Sequence, residues 1–254
     1  MPCPPAPSTA PHQAVHVLAF DTSTERLAVA LGTRDAAFTR LAEGGAMAST
    51  TLLPQALALL QAAGLGWADL DLIAFGNGPG AFTGLRTACA VAQGLGLGLD
   101  KPVLPIDSLL IVAEDARCQR ADPAHPLDIG VAMDARMDEV YAARYHWAGE
   151  AWQVLDAPAL YTLPALAKAW AGVPLQALAG SALAAFGPRL ALTAVTRWET
   201  ELDRAAALLR LAVAEAAHGA GIDAAGALPI YLRDKVALTT AEREAARQAK
   251  VVAA

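Results

Sequence analysis

Residues 15–20 are apolar apart from His16. Four polar residues, Asp21-Thr22-Ser23-Thr24, then intervene before Leu27, Val29 and Leu31 fall at alternate positions. This pattern predicts a strand, a tight polar turn and a second strand, with a third strand over 36–41. Gly44-Gly45 breaks the pattern. Ser49 or Thr50 is placed to cap a helix that takes Pro54 early, where a missing N–H costs little, and that stops at Gly64. Leu53, Leu57 and Leu60 share one face of it. The apolar run 72–75 predicts a buried strand, and the glycine-rich segment 76–84 leads into a second helix ending near Leu99. The predicted order is β-β-β-α-β-α.

The second half echoes the first. Residues 129–133 run into Asp134 as 15–20 run into Asp21, and Val140 and Leu27 each open the next strand six positions later. A duplicated strand-turn-strand unit would leave this mark. A later helix is expected over 202–218, an extended segment over 229–233 and a frayed helix over 241–254. The expected division is a flexible proline-rich extension 1–14, an N-terminal lobe 15–112, a C-terminal lobe 113–236 and a tail 237–254.

Composition narrows the function. The chain has 254 residues, 55% hydrophobic, and 19 Lys+Arg against 25 Asp+Glu give a net charge of −6. No basic run collects the potential that holds a phosphate backbone, so independent RNA binding is disfavoured. There is neither an apolar run long enough for a membrane span nor a secretory signal, and the chain reads as cytoplasmic. Cys3, Cys89 and Cys118 are expected to be free thiols. The five histidines never fall at i and i+4, and no metal site is readable. No G-x-S-x-G elbow is present, and Ser23, Ser49, Ser108 and Ser181 lack histidine and acid partners, which argues against a hydrolase.

Two segments carry candidate chemistry. In Asp21, Thr22, Ser23 and Thr24, hydroxyls and backbone N–H groups could hold a phosphate while the carboxylate binds Mg²⁺ through water; a plain Asx or Ser/Thr turn is the other reading. The glycine-rich block contains Asn77, Gly78, Pro79, Gly80, Phe82, Thr83, Gly84 and Arg86. Its glycine spacing fits neither the dinucleotide fingerprint nor a P-loop. It reads either as an anion or partner loop at a helix start, with Arg86 nearby, or as a structural crossover. In the helix that follows, Gly84, Ala88, Val91, Leu95 and Gly98 form a face of mostly small side chains that would admit a partner helix. The charged block from Asp134 to Tyr141 is either a phosphate or partner site or a solvated hairpin.

Four blocks in this order, Leu18-Ala-Phe-Asp-Thr-Ser-Thr24, Gly76-Asn-Gly-Pro-Gly-Ala-Phe-Thr-Gly-Leu-Arg86, Asp134-Ala-Arg-Met-Asp-Glu-Val-Tyr141 and Pro229-Ile-Tyr-Leu-Arg233, resemble the TsaB family, also called YeaZ. The resemblance spans about residues 15–236 and implies the two-lobed α/β fold of actin, sugar kinases and Hsp70 (the ASKHA fold), each lobe beginning with a strand-turn-strand unit. It further implies a non-catalytic scaffold in the complex that installs threonylcarbamoyl on the adenosine next to the anticodon of tRNA. The partners implied are TsaD, which carries the chemistry, and TsaE, a P-loop ATPase. By the same resemblance tRNA is reached only through the complex, a homodimer forms when TsaD is absent, and there is no cofactor beyond a weak ATP or ADP contact within the complex. The TsaD type of site uses an H-x-x-x-H pair before the first long helix; the corresponding residues here are Gly44 and Ala48. Contact with TsaD is implied to use the two helices of the first lobe through Leu53, Leu57, Leu60, Gly84, Ala88, Val91, Leu95 and Gly98. The alternative is a small-molecule kinase of the same fold, but Ala-Arg-Met after Asp134 does not supply the paired glycines of a second phosphate turn. A metallopeptidase would need the missing histidine pair.

Overall fold

A computed structural model describes residues 15–233; the extension 1–14 and the tail 237–254 lie outside the described residues, and so do Cys3 and His12. The initial alternation folds as β1 (Val17–Asp21), β2 (Arg26–Gly32) and β3 (Ala37–Glu43), an antiparallel meander. Helix α1 (Ala48–Ala63) crosses to β4 (Leu72–Gly78), which pairs parallel with β1, and α2 (Phe82–Leu99) crosses to β5 (Val103–Asp107). The sheet order is β3-β2-β1-β4-β5.

After α3 (Ser108–Cys118) the plan repeats. Strands β6 (Leu127–Asp134), β7 (Glu139–Trp147) and β8 (Trp152–Thr162) form the meander. Then come α4 (Leu163–Ala169), β9 (Ala177–Ala179), α5 (Ala182–Phe186) and β10 (Thr196–Trp198). The second order, β8-β7-β6-β9-β10, matches the first strand for strand, with two antiparallel pairs followed by two parallel ones. The expected duplication is therefore present in the topology.

The last helix, α6 (Arg204–Ala217), departs from a contiguous two-lobe division. It packs on the first sheet, where Leu208, Leu209 and Leu211 meet Val17, Ala28, Leu72 and Ala74. Strands β1, β2 and β4 are buried on both faces, so a second layer must cover the side that α1 and α2 leave bare. The first lobe is thus completed by residues expected in the second.

Three local expectations change. A 3-10 turn at Gly45–Met47 runs straight into α1, so Met47 is the cap residue, without a side-chain bond, and Ser49 and Thr50 already lie in the first turn. Pro54 consequently sits inside the helix, and the Thr50 carbonyl lacks its usual i+4 donor. Leu60 faces the sheet with Leu52, Ala56 and Leu59, leaving Leu53 and Leu57 on the outer side. Gly64 does end the helix, in a left-handed conformation with φ 69°. Cys89 and Cys118 are free thiols. Among the described residues no helix is long and apolar enough to cross a membrane.

Candidate functional site

The two segments singled out in the sequence pack against each other. Asp21 ends β1 and its turn lies under the loop from β4 to α2, whose glycines leave room for it. A β-carbon on Gly76 would stand 1.7 Å from Asp21 Oδ2, one on Gly80 2.5 Å from the Ser23 side chain, and one on Gly84 1.8 Å from the Thr22 carbonyl oxygen. Backbone groups of the loop are also used internally: Ala81 N donates to Ser23 O at 2.8 Å, and Gly78 N donates to Ser108 Oγ at 3.1 Å. These contacts favour the structural-crossover reading of the loop. Its glycines are spaced for the turn of its own chain.

Every polar side chain of the turn is engaged. The Thr22 hydroxyl donates to the Gly84 carbonyl at 2.6 Å, and Thr24 Oγ1 bonds within its own turn to the Arg26 backbone. Asp21 is completely buried. Its Oδ1 accepts from Ser23 N at 2.9 Å, Ser23 Oγ at 2.7 Å and Arg204 Nε at 3.2 Å, and its Oδ2 accepts from Ser108 Oγ at 2.8 Å. Burial alone would push this carboxyl up, but Arg204 and the hydrogen bonds from Ser23 and Ser108 outweigh it and hold it below the usual aspartate value. The guanidinium is itself fixed by Glu201 at 2.6 Å, by Ser23 Oγ at 3.0 Å and by the Ser108 carbonyl at 3.1 Å. Burial works against its charge, but Asp21 and Glu201 keep it firmly protonated.

Sequence reading missed Arg204 and Glu201, and weighed Ser108 only as a nucleophile. One signal was available: Arg204 opens an alanine- and leucine-rich helix, where a cation opposes the helix dipole and so needs a specific partner.

The turn forms one wall of a cleft of about 600 Å³ between the lobes. On the other side, the β6–β7 turn repeats the Asx geometry, with Arg136 N donating to Asp134 Oδ1 at 2.8 Å as Ser23 N does to Asp21. Arg136, Met137 and Asp138 all have positive φ. Their ion pairs, Arg136 with Glu25 at 3.2 Å and Arg189 with Asp138 at 3.0 Å, are well exposed but reach outside the block, while Arg136 and Asp134 within it are 3.8 Å apart.

Along the cleft mouth, residues 229–233 tie both lobes together. Ile230 N donates to the Asn77 carbonyl at 2.7 Å, while Arg233 reaches the Ala135 carbonyl at 2.9 Å and Glu139 at 2.7 Å. Phe82 packs on Tyr231 with ring centres 5.0 Å apart and planes tilted by 39°, and Arg86 lies over Phe82 while donating to the Tyr231 hydroxyl. Arg86 is thus engaged with the chain's own aromatics. Thr83 is exposed, and its carbonyl accepts from the Thr87 hydroxyl at 3.1 Å. Pro79 and Gly80 line the cleft.

The small-residue face is corrected. Gly84 and Ala88 are buried, because α2 turns them toward the Thr22 turn and the sheet; Val91 and Leu95 are half-buried against the same core. Leu60 is buried likewise and cannot anchor a partner. The outward side of the helix layer carries Met47, Leu53, Leu57 and Leu97, the last 64% exposed, with open space at Gly94 and Gly98.

Gly44 and Ala48 occupy the positions of the H-x-x-x-H pair. A β-carbon on Gly44 would lie 2.8 Å from the Arg26 and Leu27 backbone, and Ala48 is fully buried. Neither position has room for an imidazole without moving β2 or the core.

Comparison with known proteins places these features in context. The family model "TsaD: tRNA N6-adenosine threonylcarbamoyltransferase" matches residues 47–195. The tRNA threonylcarbamoyladenosine biosynthesis protein TsaB of Escherichia coli is 31% identical over 234 residues, 88% of this chain and 96% of that protein. Its Haemophilus influenzae namesake is 42% identical over 131 residues, 51% of this chain and 53% of that protein, so that alignment spans about half of each. The solved structure of YeaZ from Pseudomonas aeruginosa superposes with a TM-score of 0.75 at 36% identity, over 86% of this chain and 100% of that one.

Proposed function

The chain belongs to the TsaB family and has the two-lobed ASKHA type of fold, and on that premise we propose that it serves tRNA threonylcarbamoyladenosine biosynthesis as a non-catalytic scaffold subunit. Its role is to bind a TsaD partner through the outer faces of α1 and α2, and through that complex to meet TsaE and tRNA. The observation that carries this reading is the outward helix layer, where four large apolar side chains are exposed beside two glycines with nothing within 4 Å. Apolar anchors flanked by bare backbone are what close helix-to-helix docking requires. An acidic chain without a basic stripe agrees with tRNA being reached through the partner.

A scaffold rather than a transferase is supported by the crowding at Gly44 and Ala48, and a kinase is disfavoured by the enclosure of Asp21. The test is co-purification with the cognate TsaD. Leu53→Asp with Leu57→Asp, and separately Gly98→Trp, are expected to abolish the complex while each protein keeps its thermal midpoint. Retention of the complex by all these variants would refute the assignment.

A further inference from the structure

A fold of this type raises the expectation of a divalent cation held by water at the first-strand carboxylate, and the residues present do not fit one. A carboxylate offers about four acceptor sites, and Asp21 already has four donors from Ser23 N, Ser23 Oγ, Ser108 Oγ and Arg204 Nε. A hydrated Mg²⁺ keeps several of its waters, yet Asp21 has no exposed surface, and Gly76 closes against its Oδ2. We infer that the Arg204 guanidinium is a built-in cation that takes the place of a metal at the Asp21 turn, so that no divalent cation binds there.

The arrangement has the features such a substitution needs. Arg204 brings one fixed positive charge to a buried carboxylate and needs no cofactor to do so. Its remaining N–H groups are held by Glu201, Ser23 and the Ser108 carbonyl, so it cannot swing aside without leaving several buried groups unpaired. The anchoring carboxylate, Glu201, sits three residues before it, just ahead of α6. The turn is therefore held in one state whatever the metal concentration. This inference concerns the turn alone and stands apart from the partner reading.

The experiment uses Mn²⁺ alone, followed by thermal unfolding and by the electron paramagnetic resonance of free Mn²⁺. Wild-type protein is expected to show no saturable uptake and no midpoint shift; uptake that is lost in Asp21→Asn would overturn the inference. Arg204→Gln loses the charge and, with one NH2 group on a shorter side chain, most of the four bonds. It is expected to melt lower, and Mn²⁺ is expected not to restore it, because Ser23, Ser108 and Gly76 still close on Asp21. A Mn²⁺-dependent recovery in this variant that vanishes in Asp21→Asn/Arg204→Gln overturns the inference. Should Arg204→Gln not fold, the Mn²⁺ titrations of wild type and Asp21→Asn carry the test.

Discussion

Gly84 and Thr22 are locked in a reciprocal contact: the Thr22 hydroxyl donates to the Gly84 carbonyl at 2.6 Å, and a β-carbon on Gly84 would sit 1.8 Å from the Thr22 carbonyl oxygen. Both sides of that clash are backbone, so neither can swing away. Gly84→Ala is expected to cost about 3 kcal/mol or more in urea unfolding. Gly94→Ala, in the same helix with open space around it, should instead stabilise by about 1 kcal/mol. Equal effects at the two positions would show that the loop does not grip the turn.

A second buried carboxylate organises the contact between α3 and α6. Glu114 binds Arg117 at 2.8 Å, Arg210 at 2.7 Å and the Trp152 indole N–H at 3.0 Å. Its side chain is nearly inaccessible, whereas Arg210 is 41% exposed. Glu114→Ala should therefore cost about 3 kcal/mol in urea unfolding. Arg210→Ala should cost at most about 1 kcal/mol.

Acid should unfold the protein through Asp21 and Glu114. Burial raises both, but Arg204 and the serines at Asp21, and Arg117 and Arg210 at Glu114, bring them below their ordinary values of 3.8 and 4.5. Stability from a depressed carboxyl is fully present above its unfolded value and is lost as pH falls through the folded one. The melting midpoint is expected to hold down to about pH 4.5 and to drop below it. In Glu114→Gln that drop should be shallower.

The alkaline limb has the opposite sign. Tyr145 donates to Asp107 Oδ2 at 2.5 Å, and burial, then the Asp107 charge, push its phenol far above the ordinary 10. Its contribution is present below 10 and is lost as pH rises beyond it, because only the unfolded chain ionises there. Tyr145→Phe should cost about 1 kcal/mol at neutral pH. It should also flatten the loss of stability above pH 10 relative to wild type.

Much of the frame was legible because its signals are local. Alternation from Leu27 to Leu31 marks β2, Gly64 marks the end of α1, and the Asp21 and Asp134 turns announce the duplication that the two sheets display. What escaped depends on which side of a helix meets the sheet. Leucine and alanine occupy every side of α1, so periodicity could not tell Leu60, which faces inward, from Leu57, which does not. Ala88 was misread for the same reason, since a small residue suits an internal contact as well as an external one. Arg204 lies 183 residues from Asp21, and no spacing rule spans that distance. The glycine-rich block is conspicuous in the sequence, but nothing local shows that Gly76, Gly80 and Gly84 all close on the turn of Asp21, Thr22 and Ser23.

The return of α6 to the first sheet has a consequence for how the chain is made. Strands β1 to β5 are complete at Asp107, yet the helix that covers their second face begins at Arg204, about a hundred residues later. At ribosomal speeds of about 5–20 residues per second, that interval is roughly 5–20 s. Throughout it Val17, Ala28, Leu72, Ala74 and Ile106 form a greasy sheet surface without its lid. Nascent chains of this protein should therefore be clients of general chaperones until the last helix emerges, and a truncation before Arg204 should be captured by them rather than released.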